Sequence, residues 1–253
     1  MAAYHTRSNS LPSRQHPLVP EFDAQLSRLR SSEDASSSST SLSGKLSGLQ
    51  DLHDCLDKLL LLPLNQAALS KQQKEKLVDE LLDGSLRLLD ICNTAKDALQ
   101  QTGESTQELR SIIRRRHGGE SSLSSEVKKF LLNSRKVVRK ALRKAMGNKC
   151  AFGVLNKDEE ILSVLREVQS NSFRIIVFLH LRAKVEKLVT GADAGLNLLM
   201  SYKMKKSDNT LAENAQNELQ KLEMCIQDLE EGVENLYRSL IKTRVSLLNI
   251  LNH

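Results

Sequence analysis

The chain has 253 residues, a formal net charge of +6, eight aromatic residues and no tryptophan. All four prolines fall at or before Pro63, so the stretch from Leu64 to His253 contains none. A β-sandwich or barrel would draw on turn prolines and strand-forming aromatics there, whereas a proline-free segment rich in Leu, Lys, Glu and Gln favours helices.

Residues 1–43 read as a disordered, serine-rich arm. Ser31 to Ser43 contains eight serines in 13 positions and almost nothing to bury. Leu26 and Leu29 with Arg28 and Arg30 suit at most a short helical turn. Earlier in the arm, Arg7-Ser8-Asn9-Ser10-Leu11-Pro12 has the form of a basophilic kinase site. Arg7 lies three residues before Ser10, and Pro12 turns the chain away two residues after it. Phosphorylated Ser10 would present a doubly charged group to an arginine cluster such as that of 14-3-3 adaptors. The first 20 residues hold no apolar stretch of secretory type, and Met1-Ala2 lacks the glycine that myristoylation requires.

A helical domain is expected over 44–253. Leu46, Leu49, Leu52, Leu56, Leu59 and Leu60 recur at three- and four-residue steps up to Pro63. A second run from Ser70 places Leu77, Leu81, Leu88, Cys92, Ala95 and Leu99 on one broad face, with a break allowed at Gly103. Residues 126–147 form a basic amphipathic helix. One face carries Val127, Phe130, Leu131, Val137, Val138, Ala141 and Leu142; the other carries Lys128, Lys129, Arg135, Lys136, Arg139, Lys140, Arg143 and Lys144. A further helix runs from a cap at Asn156 and Glu159 through Ile161, Leu165, Val168 and Ile176 towards Leu188, and 202–209 form a polar hinge. Over 211–251 the apolar period is strictest. Leu219, Leu222, Ile226, Leu229, Val233, Leu236, Leu240, Thr243, Leu247 and Ile250 form the seam of a coiled-coil-like helix about 60 Å long. That seam needs a partner, either an earlier helix of the same chain or a second protein.

Charge is concentrated in one place. Residues 110–149 hold 13 Lys/Arg against two Glu, a net of +11, while the remainder of the chain is −5. The basic helix at its centre can be a solvated bundle face, or it can dock on anionic lipid or an acidic protein. Aromatic residues do not interleave with its cations, which argues against nucleic acid. The most apolar run, Ile175 to Leu179, is too short to span a bilayer.

Catalytic and metal-binding patterns are missing from the sequence. Histidines at 5, 16, 53, 117, 180 and 253 make no paired-ligand spacing, and cysteines at 55, 92, 150 and 225 make no zinc or disulfide spacing. His53-Asp54-Cys55 brings possible nucleophilic components together in sequence, but consecutive helical residues point in different directions.

Several stretches carry a family resemblance: Arg7-Ser8-Asn9-Ser10-Leu11-Pro12-Ser13-Arg14, Gly48-Leu49-Gln50-Asp51-Leu52-His53-Asp54-Cys55, and Glu80-Leu81-Leu82-Asp83-Gly84-Ser85-Leu86-Arg87-Leu88-Leu89-Asp90. Thr94-Ala95-Lys96-Asp97 and Leu240-Ile241-Lys242-Thr243-Arg244-Val245-Ser246-Leu247-Leu248 complete it. Together they resemble the plant-specific BYPASS-like family. That resemblance implies a role in root and shoot development and supplies no catalytic residues.

The expectation is therefore an all-α protein: an elongated bundle of long antiparallel helices with a coiled-coil-like C-terminal helix and a disordered N-terminal arm. By that resemblance it is expected to be a non-enzymatic interaction or regulatory protein of plant root and shoot development or stress signalling, and no cofactor or metal is expected. Its partners are proteins bound through the C-terminal helix or the phosphorylated Ser10 tail. The alternative is a peripheral membrane or trafficking factor that docks on anionic lipid through 126–147. The expected location is the cytoplasm, with any membrane contact peripheral.

Overall fold

The computed structural model describes residues 16–33, 39–70, 75–115, 120–147, 160–178 and 209–252, and among them every regular element is an α-helix. In chain order these are α1 (Leu18–Glu33), α2 (Ser39–Leu60), α3 (Pro63–Ser70), α4 (Glu75–Arg115), α5 (Glu120–Gly147), α6 (Glu160–Phe178) and α7 (Asn209–Leu251). The expected all-helical bundle is what the chain forms.

Two long helices, α4 and α7, make the spine. Lys96 of α4 meets Glu234 of α7 at 2.5 Å, and further along Arg110 of α4 pairs with Glu223 of α7. Rising numbers on one helix match falling numbers on the other, so the two run antiparallel. All ten seam residues of α7, from Leu219 to Ile250, are buried. The seam finds its partner within the chain, packing on α4 and α2, because α4, with 41 residues against 43, matches it in length and the shorter α2 adds a second apolar stripe.

The expected break at Gly103 does not occur, and α4 continues through it for 41 residues in all. A Cβ at Gly103 would lie 3.5 Å from Ile226 Cγ2 of α7. The glycine thus stands at the contact between the two long helices and leaves α4 uninterrupted. Polar residues inside α4 are reconciled with burial locally. Thr94, Thr102 and Thr106 each donate their hydroxyl to the carbonyl four residues earlier, at 2.7–2.8 Å.

The N-terminal boundary also differs from expectation. Residues 18–33, assigned above to a disordered arm, form α1, and Phe22, Leu26 and Leu29 are buried in the common core as it packs on α2. The i, i+4, i+7 spacing of these three supplies an apolar stripe that the nearby serines obscured. Expected features at Ser10, in 71–74, in 148–159 and in 179–208 lie outside the described residues.

The α2–α3 corner follows from Pro63, which cannot continue α2 but suits the first position of α3. Asn65 Nδ2 donates to the Leu59 carbonyl at 2.8 Å, beside the Leu62 N–H that reaches the same acceptor at 3.2 Å, and so helps close the end of α2.

Candidate functional site

Helix α5 lies at the edge of the bundle, packed chiefly on α4, with a small contact to α6. Val127, Phe130, Leu131 and Ala141 are buried on its inner side, and Val137 is half-buried. The eight cations that the sequence singles out, Lys128, Lys129, Arg135, Lys136, Arg139, Lys140, Arg143 and Lys144, are all exposed. Burial of the apolar half against α4 fixes which half faces outward, so the structure brings these eight side chains onto one solvent-facing arc. Val138 and Leu142 fall among the α5 residues whose side chains lie outside the description.

Beside this arc, α4 and α5 enclose an open groove of about 350 Å³. Lys136, Lys140 and Lys144 form a ladder along one wall, with Thr94, Asp97 and Gln101 opposite. The i, i+4, i+8 spacing stacks the three lysines one turn apart. Leu132 was not predicted as part of the surface, yet it is 68% exposed on the cationic side. Its signal was present in the sequence: it follows Leu131, and one residue's rotation carries it from the buried side to the exposed arc.

The polar interior gives a different picture. His53 of α2 and Ser172 of α6 share a hydrogen bond of 2.9 Å between Nε2 and Oγ. A serine beside an imidazole is the start of a nucleophile–base pair. Here, however, Ser172 is 0% and His53 2% exposed, so no substrate can reach the hydroxyl. His53 Nδ1 has no hydrogen-bond partner, so the carboxylate that would orient the ring is lacking. Burial pushes the imidazole down to about 4, which keeps it neutral. The pair fastens α2 to α6.

Around His53 the helix separates its neighbours, as expected. Asp54 lies 4.0 Å from Lys242 Nζ on α7, while Cys55 Sγ turns towards the Leu18 carbonyl at 3.9 Å. Asp57, one turn on, is buried and pairs with Lys242 at 3.2 Å. Burial raises the Cys55 thiol, aided by the carboxylate of Glu21, and pushes Cys92 up to about 12. Both stay as unreactive thiols. Cys55, Cys92 and Cys225 are free, and Cys150 lies outside the described residues. Among the described residues no cluster of His, Cys, Asp and Glu could hold a metal ion, and no helix is long and apolar enough to cross a membrane.

The surface thus defines a class: an all-helical bundle that carries one strongly cationic outer helix. A family model described as "Protein BPS1" matches residues 45–250, and the chain belongs to that family, consistent with the BYPASS-like resemblance. The match starts after α1 and takes in the cationic helix. Comparison with curated proteins and with solved structures finds no significant match.

Proposed function

We propose that this is a non-enzymatic interaction protein of plant developmental or stress signalling, and that it makes its contacts through the outer face of α5. Family membership supports the process. One observation carries the contact surface: all eight cations of α5 are exposed while its apolar side is held against α4. A bundle that needed only a solvated face would be served by mixed charges, as the rest of this chain is; a net of +11 confined to 110–149 favours an anionic partner.

The seam of α7 is already occupied internally, so α7 reaches a partner through its outer side, where Ile241 and Val245 are exposed. Ser10, with Arg7 and Pro12, adds a phosphorylation-dependent adaptor site on the N-terminal arm. The test is rescue of a plant line that lacks the protein. The variant Lys136→Glu/Lys140→Glu/Arg143→Glu, shown by circular dichroism to fold as the wild type does, fails to restore normal growth. Full rescue by that variant would remove α5 as the contact surface.

A further inference from the structure

We propose that the outer face of α5 docks on an anionic membrane surface, held by its cations and anchored by Leu132; this deepens the reading of α5 as the contact surface and rests on it. The placement of Leu132 is the first argument. At about 100° per residue, Arg139 and Arg143 lie within roughly 20° of Leu132 around the helix, and Lys128 and Lys136 within roughly 40°. Arg135 and Lys129 follow at roughly 60° and Lys140 at roughly 80°. A single exposed leucine is ordinary on a protein surface. One at the middle of a cationic arc is not, because the same arc would be more soluble without it. A lipid headgroup layer uses both parts: its phosphates and carboxylates attract the cations, and its acyl boundary accepts the leucine.

The second argument is what α5 cannot do. The usual mode of a basic amphipathic helix lays its apolar half into the lipid. Here Val127, Phe130, Leu131 and Ala141 are buried against the bundle, so that half is unavailable while the protein is folded. Contact is therefore electrostatic along the arc from Lys128 to Lys144, about 24 Å of helix, with Leu132 as the apolar foothold. Five of the eight cations are lysines, point charges suited to a diffuse negative surface and less so to paired recognition of individual carboxylates. No aromatic side chain lies on the arc to stack a nucleic-acid base, since Phe130 faces inward. The third argument is global. With eight cations against two Glu on α5, a net of +6, and equal numbers of each sign in the remainder of the chain, a negative plane attracts α5 and leaves the rest without net pull, so the protein arrives with α5 leading.

The experiment is co-sedimentation of the full chain with phosphatidylcholine vesicles, with and without phosphatidylserine, at about 0.15 M salt. Binding is expected to the phosphatidylserine vesicles alone. Lys136→Glu/Lys140→Glu/Arg143→Glu should weaken it by about 100-fold or more, since each cation near such a surface contributes roughly fivefold. Leu132→Gln, a surface change that leaves the fold and all eight cations in place, should weaken it by about tenfold while keeping the same salt dependence. Absence of phosphatidylserine-dependent sedimentation overturns the proposal. So does unchanged binding by Leu132→Gln together with equal affinity for duplex DNA, which would make α5 a general polyanion site. If vesicles are not bound but the triple reversal still fails in plants, membrane docking is wrong and the contact surface stands. If the triple reversal rescues, the contact surface itself is wrong.

Discussion

His53→Gln tests the buried interior quantitatively. In the folded protein the imidazole titrates at about 4, against 6.5 when solvated. Between those values the unfolded chain binds a proton that the folded protein refuses. Stability from this residue is therefore fully present above pH 6.5 and falls as the pH drops towards 4. The interval is about 2.5 pH units at about 1.4 kcal/mol each, so roughly 3 kcal/mol is lost across it. Glutamine carries an amide that can hydrogen-bond Ser172 Oγ as donor or acceptor, but it does not titrate. The assay is urea unfolding at half-unit pH steps for both proteins, so that the titrating carboxylates common to both cancel in the difference. The wild type should lose stability relative to His53→Gln as the pH falls, by about 3 kcal/mol in total. Parallel curves would show that His53 is protonated as readily in the fold as in water, and would refute its burial against Ser172.

Other positions give independent checks. Gly84→Ala drives a Cβ into the carboxamide of Gln169, which donates to the Leu81 carbonyl at 2.8 Å; the displaced hydrogen bond outweighs the roughly 1 kcal/mol that alanine gains inside a helix, and a net loss of about 1 kcal/mol in chemical denaturation is expected. Lys242→Met strands the carboxylate of Asp57, whose side chain is 3% exposed, and should cost about 2 kcal/mol, held down because Lys242 itself is 64% exposed. Asp57→Asn should cost less, and the double variant should fall well short of the sum in a mutant cycle. A peptide spanning 1–20 should bind a 14-3-3 protein by fluorescence polarisation only when Ser10 is phosphorylated, and replacing Arg7 should block its phosphorylation by a basophilic kinase.

Local patterns in the chain announced much of this architecture, and long-range pairings did not. The seam of α7 could be read because burial on one side of a long helix imposes an alternating three- and four-residue period, and all ten predicted positions are buried. The cationic arc of α5 was legible for the same reason. Helix α1 was not, since three prolines and a serine tract surround an apolar stripe of only three strong positions. Gly103 misled because glycine signals a break by its own preference, while its use here is set by α7, more than a hundred residues away. The His53–Ser172 bond spans 119 residues and the Asp57–Lys242 pair joins the two ends of the family match; neither leaves a local trace. Leu132 lay between these cases. Its angle on the helix could be computed, but its meaning required knowing that α4 covers the opposite side.

The central claim is that this protein acts through a surface and not through buried chemistry. The most direct test compares two variants in a plant line that lacks the protein: Ser172→Ala, which removes the buried hydroxyl, and the triple reversal at Lys136, Lys140 and Arg143. Both are first shown to be folded and present at wild-type levels. Rescue by Ser172→Ala with failure of the triple reversal is the predicted result. Failure of Ser172→Ala with rescue by the triple reversal would place the activity at the buried serine–histidine pair and contradict the account.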